Sequence, residues 1–514
     1  MDASFDGARF SALQAQLAPV WPTMTLRRRD EQRTLVMLSS VSMDLPLDFH
    51  PLLTAYEERY LIFVLGLVRQ PNTRVIYVTS QPVLPRLLDY YLDLIPGLNR
   101  NELRSRLVTV SVGDSSPRPL TQKILERPRL IQRLRGLVGD PRHAVVLPFV
   151  TTPLEGQLAL ALDVPVYGPH PELAHLGTKS GSREVFAAAG IPHPRGATHM
   201  RTLDDVVTAL ADFATGGAPA EAVVKLDDAV SGWGNALVDM RGARHRADLE
   251  ERVRQLRPEN DALDAKAFLA ALLAGAGVVE ERIVGADFRS PSVQLRASPE
   301  GGVEILSTHD QVLGGPSGQT YHGCRFPARP EYAKTISDLA EAAAEELAKR
   351  GVIGRFSIDF VTTRSSTGWT AYAVEINLRN GGTTHPAIAL LALTEGEYAP
   401  AEAHFLVDGI AKHYVATDHL HVPCLHSLTP DDVLDVIDEE GIGRDASTNS
   451  GVVFHMISGV AVAGRVGFTA IGNSPGEAQD LYDRVETTLT RVASPRPSEP
   501  ASSRQEADLV IVAE

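Results

Sequence analysis

Short apolar runs alternate with amphipathic stretches along the first third of the chain. Residues 34–38, 74–78, 107–112 and 144–149 read as strands. The second (RVIYV) is the strongest, because β-branched and aromatic side chains suit a pleated, buried surface. Residues 57–68, 82–94 and 123–137 lie between them with helical spacing. Strand, helix, strand, helix predicts a parallel sheet covered on both faces. A short strand and turn at 165–169 (PVYGP) closes the block. Ser39-Ser40-Val41-Ser42-Met43-Asp44 follows the first strand in place of a glycine fingerprint, so a dinucleotide site is unsupported there.

The pattern changes over residues 173–393. Helices are predicted at 180–189, ended by Gly190-Ile191-Pro192, and at 203–213. Strands at 222–226 and 235–240 flank a glycine turn, and a long helical region covers 246–274. Strands follow at 278–284, 292–296 and 303–308, then an amphipathic helix at 331–350. Strands 355–362 and 369–377 read as a pair joined by a polar turn at 363–368. Beyond a linker near 398–402, Thr429-Pro430 opens a helix that Gly441 ends. Residues 452–457 and 460–469 read as a hairpin about Ser458-Gly459, and Ser474-Pro475 caps a helix to about residue 492. The Ser-, Pro- and charge-rich remainder reads as disordered.

Composition narrows the class. A chain of 514 residues suggests three or four domains. The 49 Lys and Arg against 64 Asp and Glu leave a net charge of −15, which argues against nucleic-acid and anionic-membrane partners. One polyanion in a locally basic pocket stays compatible with it. Two cysteines, Cys324 and Cys424, exclude a disulfide scaffold and a four-cysteine zinc site. The first residues lack a basic and apolar leader, and the longest apolar runs, 61–68 and 268–279, fall short of the roughly 20 residues of a membrane span. A cytoplasmic protein is the expectation, with a homodimer as the default assembly.

Candidate chemistry concentrates in residues 354–386 (GRFSIDFVTTRSSTGWTAYAVEINLRNGGTTHP). Period two puts Glu375, Asn377 and Arg379 on one strand face, and antiparallel pairing would let Asp359 share it. Two carboxylates and an amide oxygen beside a guanidinium suit Mg²⁺ bridged to phosphates. Lys225, near the end of a β-branched strand, precedes the loop Ser231-Gly232-Trp233-Gly234, whose glycines allow backbone N–H groups close to a phosphate. The strand at 278–284 carries Glu280, with Ile283 and Asp287 beyond it, and its edge can read a purine ring. Lys179 lies in a helix's first turn, although the glycine spacing before it is wrong for a P-loop. His385 follows Thr383-Thr384 where a substrate could lie, and His309-Asp310-Gln311 reads as a polar strand end. Cys324 reads as a packed residue rather than a nucleophile.

Taken in order, these segments resemble the ATP-grasp superfamily of carboxylate–amine ligases, over about residues 173–393. Asn377-Leu378-Arg379-Asn380-Gly381-Gly382 is the most specific element. The layout and residues 314–328 are most similar to pheganomycin-type peptide ligases of bacterial natural-product pathways. The resemblance implies an α/β and α+β chain. A Rossmann-like pre-ATP-grasp domain (1–172) precedes an ATP-grasp unit of two lobes (173–397), a small α+β C-terminal domain (398–492) and a flexible tail (493–514). It implies that Lys179 and Lys225 hold ATP phosphates under a loop of Ser231, Gly232 and Gly234. Glu280 and the Ile283 backbone would read adenine, and Asp287 the ribose. Only by this family analogy does the strand end at His309 and Gln311 become a substrate-recognition patch. Asp359, Glu375 and Asn377 would hold two Mg²⁺, with Mn²⁺ as an alternative, and Arg379 or Arg355 would stabilise an acyl-phosphate. The implied activity joins a small-molecule or peptide carboxylate to an amine, releasing ADP and phosphate. The competing readings are a nucleotide-binding regulator without catalysis and another ATP-grasp chemistry such as carboxylation; the biotinyl-carrier lysine motif is absent from the sequence.

Overall fold

The computed structural model describes residues 5–24, 31–45, 47–95, 97–215, 219–229, 232–260, 262–314, 320–366, 368–394 and 396–494. Strands β1 (Arg33–Leu38), β2 (Thr73–Thr79), β3 (Leu107–Ser111) and β4 (Ala144–Pro148) form a parallel sheet in the order β3-β2-β1-β4. All but one residue of β1 and of β2 is buried, as expected where helices cover both faces. Val166 adds a single parallel bridge to Val146.

The next unit is a small lobe with a five-stranded antiparallel sheet. Its strands are β5 (Gly196–Ala197), β6 (Glu221–Leu226), β7 (Asn235–Asp239), β8 (Arg257–Pro258) and β9 (Gly277–Glu281), in the order β5-β9-β6-β7-β8. Helices Leu203–Thr215, Arg246–Arg254 and Ala265–Gly275 pack on it around Val206, Leu210, Val253 and Phe268. The long helix expected over 246–274 is therefore two helices. Pro258, in β8, removes a backbone donor, and Asp264 caps a fresh start by accepting from the N–H of Ala267.

The large sheet begins with β10 (Ala286–Arg289), β11 (Pro291–Ala297), β12 (Val303–Gly314), β13 (Thr320–Phe326), β14 (Gly354–Ser365) and β15 (Gly368–Asn377). A three-stranded sheet of β16 (Glu397–Ala399), β17 (His404–Val407) and β18 (Ile410–Ala411) follows, so the expected linker near 398–402 starts inside a strand. The large sheet then resumes with β19 (His413–His421), β20 (Arg444–Asp445), β21 (Ser450–His455) and β22 (Arg465–Gly472). Its order is β10-β14-β11-β12-β13-β19-β22-β21-β20, with β15 on β14. One sheet thus spans the β14–β15 segment and residues 413–472. The expected tight hairpin about Ser458-Gly459 is replaced by a helical turn, Gly459–Ala463, ended by Gly464 in the left-handed region. Helix Pro330–Lys349 covers one face, and its Tyr332, Ile336, Ala340 and Leu347 meet Phe356, Ile358 and Phe360 of β14.

Candidate functional site

Strands β14 and β15 pair antiparallel with Asp359 directly opposite Glu375 and Ser357 opposite Asn377. A bulge next to Asp359 leaves Val374 unmatched, a device that re-aims side chains where a sheet meets a site. Ser292 of β11 donates to Asp359 Oδ1 at 2.6 Å, and Asn377 Nδ2 donates to Asp359 Oδ2 at 3.2 Å. Arg379 donates to Asn377 Oδ1 at 2.9 Å. Burial, followed by repulsion from Glu375, pushes the Asp359 carboxyl up to about 6. Two carboxylates held against one another form a donor set that a divalent cation would relieve. Among the described residues no group of three His, Cys, Asp or Glu could hold a metal by itself. The set therefore suits an ion that takes its other ligands from phosphate and water, as Mg²⁺ does.

Lys179 reaches this centre from the first turn of helix Lys179–Ala188, with its Nζ 2.5 Å from Glu375 Oε1 and 3.2 Å from the carbonyl of Ala229. Lys225 arrives from β6, 2.6 Å from Glu280 Oε2. Arg183 occupies the other oxygen of Glu280 at 2.9 Å. Both oxygens of this buried carboxylate are thus engaged by cations, and Glu280 anchors Lys225 rather than standing open to a base. Its paired cations outweigh desolvation and hold its pKa below the usual carboxylate value.

Most of these groups line one cleft of about 560 Å³ between the small lobe and the large sheet, with Lys179 and Arg183 set behind its wall on Glu375 and Glu280. It collects Lys225, Gly232, Glu280, Ile283, Gln311, Asp359, Glu375, Asn377, Arg379, Gly381 and Gly382. Gly232 has φ +77°, a conformation that admits glycine without strain. Gly382 sits under the Tyr321 ring, where a Cβ would lie 2.5 Å from a ring carbon. Ser231 lies outside the described residues. Gly234 is packed on Ala229 and Leu226 beside the cleft.

Four expectations meet a different arrangement. Asp287 is exposed, near Arg289 and Arg364, and does not line the cleft. His309 is fully buried against the Tyr414 hydroxyl at 2.6 Å, and burial pushes its pKa down to about 3. His385 is buried too, 3.0 Å from His455 Nε2, with its pKa well below normal for the same reason. Neither histidine lines either of the two cavities that Arg379 borders, and each is buried with one ring nitrogen on a polar partner. Arg355 lines a second cavity of about 1060 Å³, between the first sheet and β11, β14 and helix Thr384–Leu393. Arg379 borders both spaces. Cys324 is buried, with its thiol pushed up to about 12, which suits a packed residue.

Sequence reasoning missed Arg183, Ser292 and Tyr321. Arg183 stands four residues after Lys179 on the same helix face, a spacing that signals a shared site. The other two carry no local signal, because strand pairing alone brings them in.

A family model described as IQCH-like, ATP-grasp matches residues 171–264 and 263–398, and one described as PGM1 C-terminal domain matches 432–485. The chain is 32% identical over 458 residues to an L-propargylglycine–L-glutamate ligase of Streptantibioticus cattleyicolor, covering 87% of this chain and 91% of that one. Biotin carboxylase of Campylobacter jejuni, in complex with β,γ-ATP, shares the fold with TM-score 0.52 at 13% identity, over 90% and 95% of the two chains. An N5-carboxyaminoimidazole ribonucleotide synthetase in complex with ADP does so with TM-score 0.50 at 12% identity, over 90% and 98%.

Proposed function

Because the chain belongs to the ATP-grasp superfamily of carboxylate–amine ligases and is similar to a pheganomycin-type ligase over most of its length, we propose the following division of labour in its cleft. The chain is an ATP-dependent ligase. Lys179 and Lys225 hold the phosphates, Lys225 being aimed by Glu280 and Arg183. The backbone about Ile283 borders the adenine, and Gly232 lets the loop after β6 approach the phosphates. Asp359, Glu375 and Asn377 hold Mg²⁺, which supplies neutralising charge at the transferred phosphoryl group. Arg379 is the oxyanion-stabilising group, since it borders the metal residues and the second cavity at once.

A carboxylate is a poor electrophile because its oxygen leaves badly. Its attack on the terminal phosphorus of ATP forms an acyl-phosphate and expels ADP. Attack by an amine then forms the amide and expels phosphate, with loss of one proton. The protein's task is to position groups and balance charge. An amino acid or short peptide is the substrate class, as in the relative that joins L-propargylglycine and L-glutamate.

The observation that carries this reading is the meeting of Lys179, Asp359, Glu375, Asn377 and Arg379 from three separated elements around one cleft. Asp359→Ala and Glu375→Ala should each lower ADP and phosphate release at least 10³-fold in a screen of carboxylates against amines, with the melting curve retained. Wild-type turnover surviving in both variants would remove the assignment.

A further inference from the structure

The second cavity borders the catalytic Arg379 yet is built differently from the cleft. One face of the large sheet runs from one space to the other. Opposite pairs along β11 and β14 are Ser292 with Asp359, Gln294 with Ser357, and Arg296 with Arg355. Four residues at about 3.3 Å each put Arg355 roughly 13 Å along the strand from Asp359. Two arginines directly opposite one another repel. Arg296 is neutralised by Glu304 at 2.6 Å. Arg355 makes no hydrogen bond or ion pair among the described residues, although it is half-buried and lines the cavity. An unpaired guanidinium in partial burial is costly, and a ligand carboxylate removes the cost.

A second set of polar atoms points to the rest of the ligand. Thr151 Oγ1 and Asn380 Oδ1 are buried atoms of residues that are 4% and 9% exposed, both residues line the same cavity, and neither atom has a hydrogen-bond partner. An amide oxygen accepts only, so it calls for an N–H donor. Asn380 adjoins Arg379, whose guanidinium donates to the Asn380 carbonyl at 3.2 Å. One donor-seeking oxygen, Asn380 Oδ1, thus lies next to the reaction centre with an unpartnered hydroxyl, Thr151 Oγ1, on the same cavity, and the anion-seeking guanidinium lies away from it. Trp21, Phe63 and Phe149 add an apolar wall.

We propose that this cavity seats the amine-bearing substrate, an α-amino acid or short peptide, with its carboxylate on Arg355 and its amine toward Asn380 Oδ1 and Thr151 Oγ1. The arrangement deepens the ligase reading and rests on it. It presents the amine to the acyl-phosphate at Arg379 while keeping the acceptor's own carboxylate from being activated. Arg355 is therefore a substrate-binding group rather than an alternative to Arg379.

The test is calorimetric titration of the full chain, loaded with Mg²⁺ and the β,γ-imido analogue of ATP. The probes are the twenty L-amino acids, each against its primary amide. At least one amino acid should bind ten-fold or more tighter than its amide. Arg355→Met should weaken that acid roughly 10- to 100-fold and bring the ratio near one, with nucleotide affinity within two-fold. Thr151→Val should weaken acid and amide alike, leaving their ratio unchanged. Arg355→Lys, which keeps the charge, should retain part of the preference and serves if the Met variant fails to fold. Equal binding of acid and amide, a ratio that survives Arg355→Met, or no binding by any amino acid would overturn the proposal. The same pairs are run with ATP and a panel of carboxylates, reading phosphate. Arg355-dependent binding with no turnover would keep this cavity and sink the ligase reading. Turnover with an unchanged acceptor KM in Arg355→Met would do the reverse.

Discussion

Glu57 and Asp359 are two carboxyls with raised pKa values, and their causes differ. Asp359 is raised by burial and by Glu375 across the strand pair, which ties its state to whatever the cleft holds. Glu57 is raised to about 7 by burial alone, opposed by hydrogen bonds from Ser80 and by the charge of Lys123. Its oxygens accept from Ser80 N and Oγ, each at 2.6 Å, under the first sheet. A carboxyl whose folded pKa exceeds its unfolded 4.5 favours the fold below 4.5, and that contribution is lost as pH rises through about 7. Glu57→Gln should therefore gain stability over wild type between pH 5 and pH 8, by at most on the order of 3 kcal/mol. Urea midpoints across that range measure it; a flat difference would show that Glu57 is neutral or charged in both states. At this scale the sequence was informative where spacing carries meaning. Glu375, Asn377 and Arg379 share a face because strands alternate. It singled out Glu280 for adenine, but could not show that Arg183 and Lys225 meet that carboxylate from two other elements.

Among elements, those with a clear period were legible. The four strands of the first sheet fall within a residue or so of their expected limits, since each is a bounded apolar run. Helix Thr384–Leu393 was not, because nine of its ten residues are buried and no polar face marks its turn. Strands β10 and β13 escaped for the opposite reason: β10 is mostly exposed, and β13 mixes polar and aromatic residues without alternation. Helix Leu53–Arg59 shows how distant elements are fastened. Its Arg59 meets Asp418 of β19 at 2.7 Å, both side chains being under a tenth exposed. Its Glu58 accepts from the N–H groups of Ile457 and Ser458 at 2.7 and 2.9 Å. Arg465 donates to the carbonyl of Asp418 at 2.7 Å, so two guanidinium groups depend on this one residue's neighbourhood. Asp418→Asn should cost about 3–5 kcal/mol, since it strands buried positive charge. Chemical denaturation reads this, and the double variant Arg59→Met, Asp418→Leu should recover a large part of the loss.

For the whole molecule, the core crosses the boundaries drawn from sequence. Tyr60, Leu65 and Leu92 of the first block share one apolar cluster with Val433, Phe454, Phe468 and Leu489 near the other end. Composition could count three or four units, but it could not say that the first and last would be packed together. Their contact is set by tertiary partners hundreds of residues apart. A chain cut after residue 397 should therefore expose both the edge of β13 and half of that cluster. Its expected behaviour is aggregation or loss of cooperative melting, which sedimentation and circular dichroism would detect. A truncated chain that melts sharply as a monomer would show that the last segment is an appendage. The net charge of −15 sits over a site where Lys179, Lys225 and Arg379 are proposed to meet one polyanion, with Arg355 beyond it, so the global sign says little about the local one. Among the described residues no helix is long and apolar enough to cross a membrane.

The ladder between β13 and β19 has a consequence for descent. Gly323 through Phe326 hydrogen-bond in register with Thr417 through Tyr414, and an added Cβ at Gly323 would fall 2.1 Å from the Ala416 carbonyl. A crossover between related genes anywhere in 327–412 would give these two strands different parents. Such a hybrid would inherit a seam never selected together, in the middle of its largest sheet. The two strands should therefore travel as a linked pair through the history of the lineage, with changes in one answered by changes in the other.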